Sequence, residues 1–131
     1  GITSATGMKT FNRKLHEILT CFRQELLALP GSDNIIAYGA ARSAPFILQL
    51  VDINDRFTCC IDDNPMKIGK YLPVSSIPIH PSFHLDSLDK SSPLNILITG
   101  WAQSARIMGN LQAKYNCNLG TIFPSFGITS N

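Results

Sequence analysis

Hydrophobic positions in the first quarter of the chain recur at three- and four-residue steps, which is the spacing of one face of an α-helix. Between Thr10 and Leu29, apolar side chains take these positions at Phe11, Leu15, Ile18, Phe22, Leu26 and Leu29. Pro30-Gly31 follows directly. Proline cannot continue the helical hydrogen-bond ladder, and glycine suits a left-handed cap. The pattern therefore predicts an amphipathic helix over residues 10–29.

Farther along, the apolar residues come in short runs that do not alternate with polar ones, which is typical of strands covered on both faces of a parallel sheet. The clear runs are residues 34–38, 57–61, 95–99 and 119–123, with a short candidate at 77–79 between prolines. Helical patterns lie between them, at about 42–51, 82–88 and 105–115. Alternation of strand and helix indicates βαβ units with right-handed crossovers. We predict a Rossmann-like, doubly wound α/β fold with a mainly parallel sheet of four to five strands, helices on both faces and an extra N-terminal helix.

Length and composition fit one domain, because the chain has 131 residues of which 44% are hydrophobic. The small residues of 1–8 are expected to be a leader or an expression scar, which leaves 9–131 as the domain. No run approaches the roughly 20 apolar residues of a membrane span. The net charge is only +2 and the basic residues are scattered, which disfavours a nucleic-acid partner. We expect a cytoplasmic protein without a membrane or nucleic-acid partner.

The four cysteines form no CxxC pair and have no zinc-ligand spacing. They are Cys21, Cys59, Cys60 and Cys117, and the pattern favours reduced core residues over a disulfide scaffold. Cys59 and Cys60 are adjacent in a predicted strand, so we expect their side chains on opposite sheet faces.

Ligands of open parallel sheets bind beyond the carboxyl ends of the strands, so three loops are candidates. The first runs from Gly39 to Ala44 and keeps only one glycine of a dinucleotide fingerprint. It is either an anion site at a helix start, with Arg42 as the charged partner, or only a tight turn. The second, Asp62-Asp63, is either a ribose ligand or a capped turn. In the third, Trp101 either stacks on a base or sugar or packs as an anchor.

The rest of the chain offers few candidates for metal binding or catalysis. His80 and His84 are four residues apart, but the intervening Pro81 argues against a metal-binding helix face, and loop histidines are the better interpretation. Glu17 and Glu25 are the only glutamates, and the sequence has neither a P-loop nor a Gly-x-Ser-x-Gly elbow. We therefore predict no metal and nominate no catalytic residue.

Several segments resemble the C-terminal domain of SAM-dependent sugar C-methyltransferases, enzymes that methylate deoxysugars attached to nucleotides. The resemblance covers roughly residues 10–126, and its most specific part is the run that contains Asp63-Asn64-Pro65, Lys67, Gly69-Lys70-Tyr71 and Pro73. It implies a domain that helps to bind a nucleotide-sugar, while a zinc-binding part, the SAM-binding domain and the main acid–base residues lie elsewhere in the parent enzyme. It thus implies no cofactor in this domain and a SAM-binding methyltransferase domain as partner, in cis or in trans.

We accordingly predict a substrate-binding domain that positions the acceptor and is not catalytic alone. The predicted binding residues are Gly39, Ala40, Arg42 and Ser43 in the first loop, Asp62 and Asp63 in the second, Trp101 in the third, and Lys67, Lys70 and Tyr71 in the segment that carries the resemblance. Two alternatives stay open. One is a free-standing nucleotide or dinucleotide module, and the other is a structural or interaction domain whose pocket has decayed. The possibility of a decayed pocket stays open because Arg42-Ser43-Ala44 stands where the family usually has Lys and Gly.

Overall fold

The computed structural model describes residues 5–41, 43–73, 75–100, 104–122 and 126–130. The α-helices are α1 (Ala5–Ala28), α2 (Ala44–Val51) and α3 (Ser104–Lys114). Two 3-10 helices cover Asn54–Arg56 and Ser82–Ser87. The strands are β1 (Ile35–Tyr38), β2 (Phe57–Ile61), β3 (Ile79–His80), β4 (Leu94–Ile98), β5 (Cys117–Thr121) and β6 (Gly127–Ser130). No helix among these residues is long and apolar enough to cross a membrane.

The strands form one sheet in the order β3-β2-β1-β4-β5-β6. The first five run parallel, and β6 pairs antiparallel with β5. This order confirms the Rossmann-like α/β fold, because the sequence order reverses beside β1, as in doubly wound sheets. The predicted number of four to five strands is wrong, since the sheet has six strands among the described residues. The missed strand, β6, is a half-exposed edge strand with only Ile128 as a large apolar residue.

Several predicted boundaries also differ from the structure, and the last predicted strand, 119–123, is observed two residues earlier as β5, Cys117–Thr121. Helix α1 begins at Ala5 rather than at Thr10, so it takes in residues 5–8 of the predicted leader. The short strand predicted at 77–79 is observed at Ile79–His80. Its shift is explained by Pro78, which has no N–H to donate to a strand ladder but whose carbonyl accepts a hydrogen bond from Cys60 N at 2.8 Å.

The hydrophobic core has two parts, one on each face of the sheet. Helices α1 and α2 cover one face, where Leu26 and Ile47 pack with Ala37 of the central strand β1. Helix α3 and the second 3-10 helix cover the other, where Leu111 and Leu85 join a cluster containing Ile36, the neighbour of Ala37. Successive strand residues thus enter opposite cores, which confirms that both faces are covered.

The cysteines follow the same alternation. Cys60 belongs to the core under α1 and α2 and Cys59 to the core under α3, as predicted for adjacent strand residues. Cys59, Cys60 and Cys117 are buried, whereas Cys21 lies exposed on α1, and all four are free thiols. Burial raises the pKa of the Cys60 thiol to about 12. A buried thiol with such a pKa has almost no reactive thiolate near neutral pH.

We therefore expect one thiol, that of Cys21, to react rapidly with Ellman's reagent at pH 8 in the folded protein. The three buried thiols should react only as the protein opens, and all four should react in denaturant. The Cys21→Ser variant is the control, and it should show no rapid phase. A rapid phase of two or more thiols in the folded protein would contradict the burial described above.

Candidate functional site

The sheet order reverses between β1 and β4, and here the chain backbone itself is closely packed. Gly39 follows β1 with φ 111°, and a Cβ atom placed on it would lie 2.8 Å from the backbone N of Gly100, which follows β4. The hydroxyl of Thr99 donates a hydrogen bond to the Tyr38 carbonyl at 3.0 Å. The two central loops therefore touch each other, and the open space at this edge of the sheet lies to either side of them.

The second loop holds the first by side-chain hydrogen bonds to Ala40. One carboxylate oxygen of Asp62 accepts the N–H of Ala40 at 2.9 Å, and the other accepts the N–H of Asn64 at 2.8 Å. The Lys67 ammonium donates to the Ala40 carbonyl at 2.6 Å. Both backbone polar groups of Ala40 are thus held by side chains that follow β2, which fixes the turn that begins at Gly39.

The segment after Asn64 folds back along β3. The N–H of Gly69 donates to the Ile79 carbonyl at 3.0 Å, and the N–H of Ile79 donates to the Lys70 carbonyl at 2.8 Å. Gly69 has φ 85°, a left-handed conformation that glycine adopts without strain. This turn carries Lys70 and Tyr71 at the surface, where the Tyr71 side chain is 62% exposed.

A cavity of about 450 Å³ opens between the first loop and this segment. We call it the lysine–tyrosine pocket, and its lining residues are Ala40, Ala41, Pro45, Met66, Lys67, Lys70, Tyr71, Leu72, Pro73 and Ile79. Two of them are lysines, and none of these described lining residues is acidic. The pocket therefore combines positive charge with a phenol and apolar walls, which suits an anionic small molecule.

A second cavity of about 300 Å³ lies on the α3 face of the same edge. Asp63 lines it together with Tyr38, Ser82, Phe83, Leu85, Asn110, Leu111, Lys114 and Tyr115. One oxygen of Asp63 accepts the N–H of Ser82 at 2.7 Å. Burial, followed by the charge of Asp63, raises the pKa of the Tyr38 hydroxyl. This cavity is thus mixed in charge and distinct from the lysine–tyrosine pocket.

The structure brings together four of the predicted binding residues, since Ala40, Lys67, Lys70 and Tyr71 line one pocket. Gly39 and Asp62 build the turn beside that pocket, whereas Asp63 faces the other cavity. Ser43 stands at the start of α2, and its hydroxyl oxygen is buried with no hydrogen-bond partner in the described part of the chain. Arg42 and Trp101 lie outside the described residues.

Sequence reasoning missed the apolar walls of the lysine–tyrosine pocket and every residue of the α3-side cavity except Asp63. Pro45 and Met66 carry no chemical signal of their own, and only the run through Pro73 pointed to this segment. Asn110 and Lys114 lie on α3, where polar residues at helical spacing usually indicate a solvated face. No signal in the sequence separates such residues from ordinary surface residues.

The two histidines predicted to lie in loops belong to regular structure instead, because His80 ends β3 and His84 lies in the second 3-10 helix. The rings of His80 and His84 stack with centroids 4.2 Å apart and an angle of 19° between their planes. Partial burial and the neighbouring His80 lower the pKa of His84. Among the described residues, no group of three or more His, Cys, Asp or Glu side chains could hold a metal ion.

Comparison with known proteins identifies the family of the chain. A search of curated proteins finds no match. The family model of the C-methyltransferase C-terminal domain matches residues 1–124, which include every strand of the sheet except β6. The match also spans the lysine–tyrosine pocket and both loops that build it. The chain therefore belongs to the C-methyltransferase C-terminal domain family.

Proposed function

We propose that this domain binds the acceptor of a C-methyl transfer, a nucleotide-sugar or a similar anionic small molecule, in the lysine–tyrosine pocket. The observation that carries the proposal is the cation-rich lining at the carboxyl edge of the sheet, with Lys67 and Lys70 and no acidic lining residue among those described. Phosphate groups are bound well by ammonium donors. Membership in the family supports methyl transfer as the reaction that the domain serves.

The two lysines would act differently toward an anion. Lys67 is half-buried and already donates to the Ala40 carbonyl, so it holds the pocket wall while adding positive charge. Lys70 is exposed on the turn beside Tyr71, so its ammonium is the one that can swing onto a phosphate. The phenol of Tyr71 adds a donor and an aromatic face at the rim.

In the reaction, this domain would position the acceptor and would not itself carry out the methyl transfer. Holding the acceptor in one orientation converts an encounter of two molecules into a step within one complex. SAM would supply the methyl group from a separate methyltransferase domain, in cis or in trans. The residues of this chain would bind and orient the acceptor and leave proton transfer to that neighbour.

The contacts of Asp62 weigh against a dinucleotide module. Each of its carboxylate oxygens already accepts one backbone N–H, from Ala40 or from Asn64. These oxygens keep lone pairs that a ribose hydroxyl could use, but Asp62 already holds the turn at Ala40, whereas Lys70 is exposed at the surface. The acceptor role therefore has more support than NAD binding.

We expect Lys70→Ala to weaken binding of thymidine-diphosphate glucose by about tenfold, because one charge-assisted hydrogen bond contributes about 1.5 kcal/mol or more. Isothermal titration calorimetry measures the dissociation constant, with NAD and SAM titrated in parallel. Lys14→Ala is the matched control, because it removes the same charge from an exposed position on α1. Binding of NAD alone would favour the dinucleotide module, and no binding of the sugar nucleotide would count against the proposal.

A further inference from the structure

The lysine–tyrosine pocket adjoins a second cavity beside α2, and the two cavities together are called the groove. A neighbouring cavity, also of about 450 Å³, shares Pro45, Leu72 and Pro73 with that pocket. We call it the amide pocket, and its lining residues are Pro45, Phe46, Leu48, Gln49, Asn54, Leu72, Pro73 and Ser75. Three lining residues are common to both cavities, so the two lie directly beside each other.

The amide pocket offers hydrogen bonds that the fold does not use. Gln49 lies on α2 and Asn54 opens the following 3-10 helix, and both are exposed. Within the described part of the chain, neither side-chain amide has a hydrogen-bond partner. Each amide carries donors and an acceptor, so the two can match a ligand edge on which N–H and C=O groups alternate.

The same pocket offers an aromatic face above an apolar floor. The Phe46 side chain is 62% exposed although it belongs to a helix with a well-buried inner face. Leu48 and Leu72, each only 2% exposed, close the bottom of the groove. A planar ring lying in the groove would stack on Phe46 and remove its apolar surface from water.

Charge divides the groove into two halves. The lysine–tyrosine pocket contains Lys67 and Lys70, whereas no described residue that lines the amide pocket is charged. A ligand that fits both halves is anionic at one end and neutral, planar and polar-edged at the other. A nucleoside diphosphate has this form, and exposed bases are recognised by aromatic stacking and by hydrogen bonds to their edges.

We infer that the amide pocket binds the nucleobase of the acceptor, with Gln49 and Asn54 on its edge and Phe46 on its face. This inference rests on the proposed function and extends it, because it assigns the nucleotide end of the ligand to one half of the groove. The phosphates then lie over Lys67 and Lys70, and the sugar extends from the phosphates away from α2.

Three ligands test the inference by calorimetry, namely thymidine diphosphate, thymidine-diphosphate glucose and glucose 1-phosphate. We expect the double variant Gln49→Ala/Asn54→Ala to bind both thymidine nucleotides roughly tenfold more weakly, since two hydrogen bonds are lost, and glucose 1-phosphate unchanged. Phe46→Leu should weaken the same two ligands severalfold by removing the stacking face. Gln24→Ala, which removes an exposed amide from α1, is the matched control and should bind all three normally.

Other outcomes overturn the inference in separable ways. If the double variant weakens thymidine-diphosphate glucose and glucose 1-phosphate but not thymidine diphosphate, the sugar occupies the amide pocket. If it binds all three normally while Lys70→Ala binds them weakly, the base lies elsewhere. In both cases the inference fails and the proposed function stands. If the unaltered protein binds none of the three ligands, both fail.

Discussion

Replacing Gly39 with alanine is expected to lower the free energy of unfolding by about 3 kcal/mol or more. Gly39 has φ 111°, where an L-residue is strained, and its new Cβ atom would lie 2.8 Å from the N and 3.0 Å from the Cα of Gly100. Both of these are backbone atoms and cannot rotate aside as the end of a side chain would. The strain and the close contact therefore add, and the turn must move to relieve them.

Movement of this turn would also disturb the pocket. Ala40 follows Gly39 and is held on both sides, by Asp62 at its N–H and by Lys67 at its carbonyl. Displacing Ala40 breaks these bonds and shifts a wall of the lysine–tyrosine pocket. We therefore expect the surviving folded fraction of Gly39→Ala to bind thymidine-diphosphate glucose more weakly than the unaltered protein.

Gly109→Ala is the matched control for this substitution. Gly109 lies within α3, and a Cβ atom there meets no heavy atom within 4 Å. Since alanine is a better helix former than glycine, Gly109→Ala should raise the free energy of unfolding by about 0.5–1 kcal/mol. Urea denaturation followed by circular dichroism measures both variants. A Gly39→Ala variant as stable as the unaltered protein would show that the two central loops do not meet as described.

The centre of the fold could be predicted from sequence because most residues of its strands are buried. Residues 57–61 form β2 with the predicted bounds, and the predicted 34–38 and 95–99 differ from β1 and β4 by one residue. Apart from Thr58 in β2 and Asn95 in β4, these strands are apolar, because helices cover both faces of the sheet. The edge strand β6 has no such requirement, so Gly127–Ser130 carries too few apolar residues to be recognised.

Long-range polar contacts set another limit on prediction. The buried Asn95 donates to the Pro30 carbonyl at 2.8 Å and accepts a hydrogen bond from the Asn118 amide at 3.0 Å. Asn118 in turn accepts a hydrogen bond from the Ser130 hydroxyl at 2.6 Å. The chain of bonds ties the turn after α1 to three strands. Nothing local in the sequence distinguishes Asn95 from an asparagine that merely ends a strand.

The sequence predicted at which edge of the sheet the candidate residues lie, but not which of them line the same cavity. The ends of the predicted strands placed Asp62 and Asp63 at the carboxyl edge of the sheet, where both accept backbone N–H groups. The sequence treats them as one pair, yet Asp62 contacts Ala40 on one side and Asp63 lines the cavity on the α3 side. Lys70 and Tyr71 were found only through the resemblance, because their position depends on a turn that pairs with β3.

Replacing Leu26 with alanine is expected to lower the free energy of unfolding by about 3 kcal/mol, within the range of about 2–5 kcal/mol for buried leucines. Leu26 is 1% exposed and lies in the core that α1 shares with α2 and the sheet. Two neighbouring residues of α1, Phe22 and Arg23, also hold the helix against the rest of the domain. The Phe22 ring lies 5.5 Å from that of Phe126, and the Arg23 guanidinium donates to the Val51 carbonyl at 2.6 Å.

Leu27→Ala is the control that separates the loss of core packing at Leu26 from any change in the intrinsic stability of helix α1. Leu27 is the next residue of α1 but is 36% exposed, so its truncation should cost less than about 1 kcal/mol. Alanine favours helix at least as well as leucine, and a large loss at position 26 alone must therefore come from the core. Urea denaturation compares the two variants directly. Equal and small losses would mean that α1 does not belong to the core and that the folding unit begins at β1, whereas a difference of about 2 kcal/mol or more would make α1 an integral part of the domain.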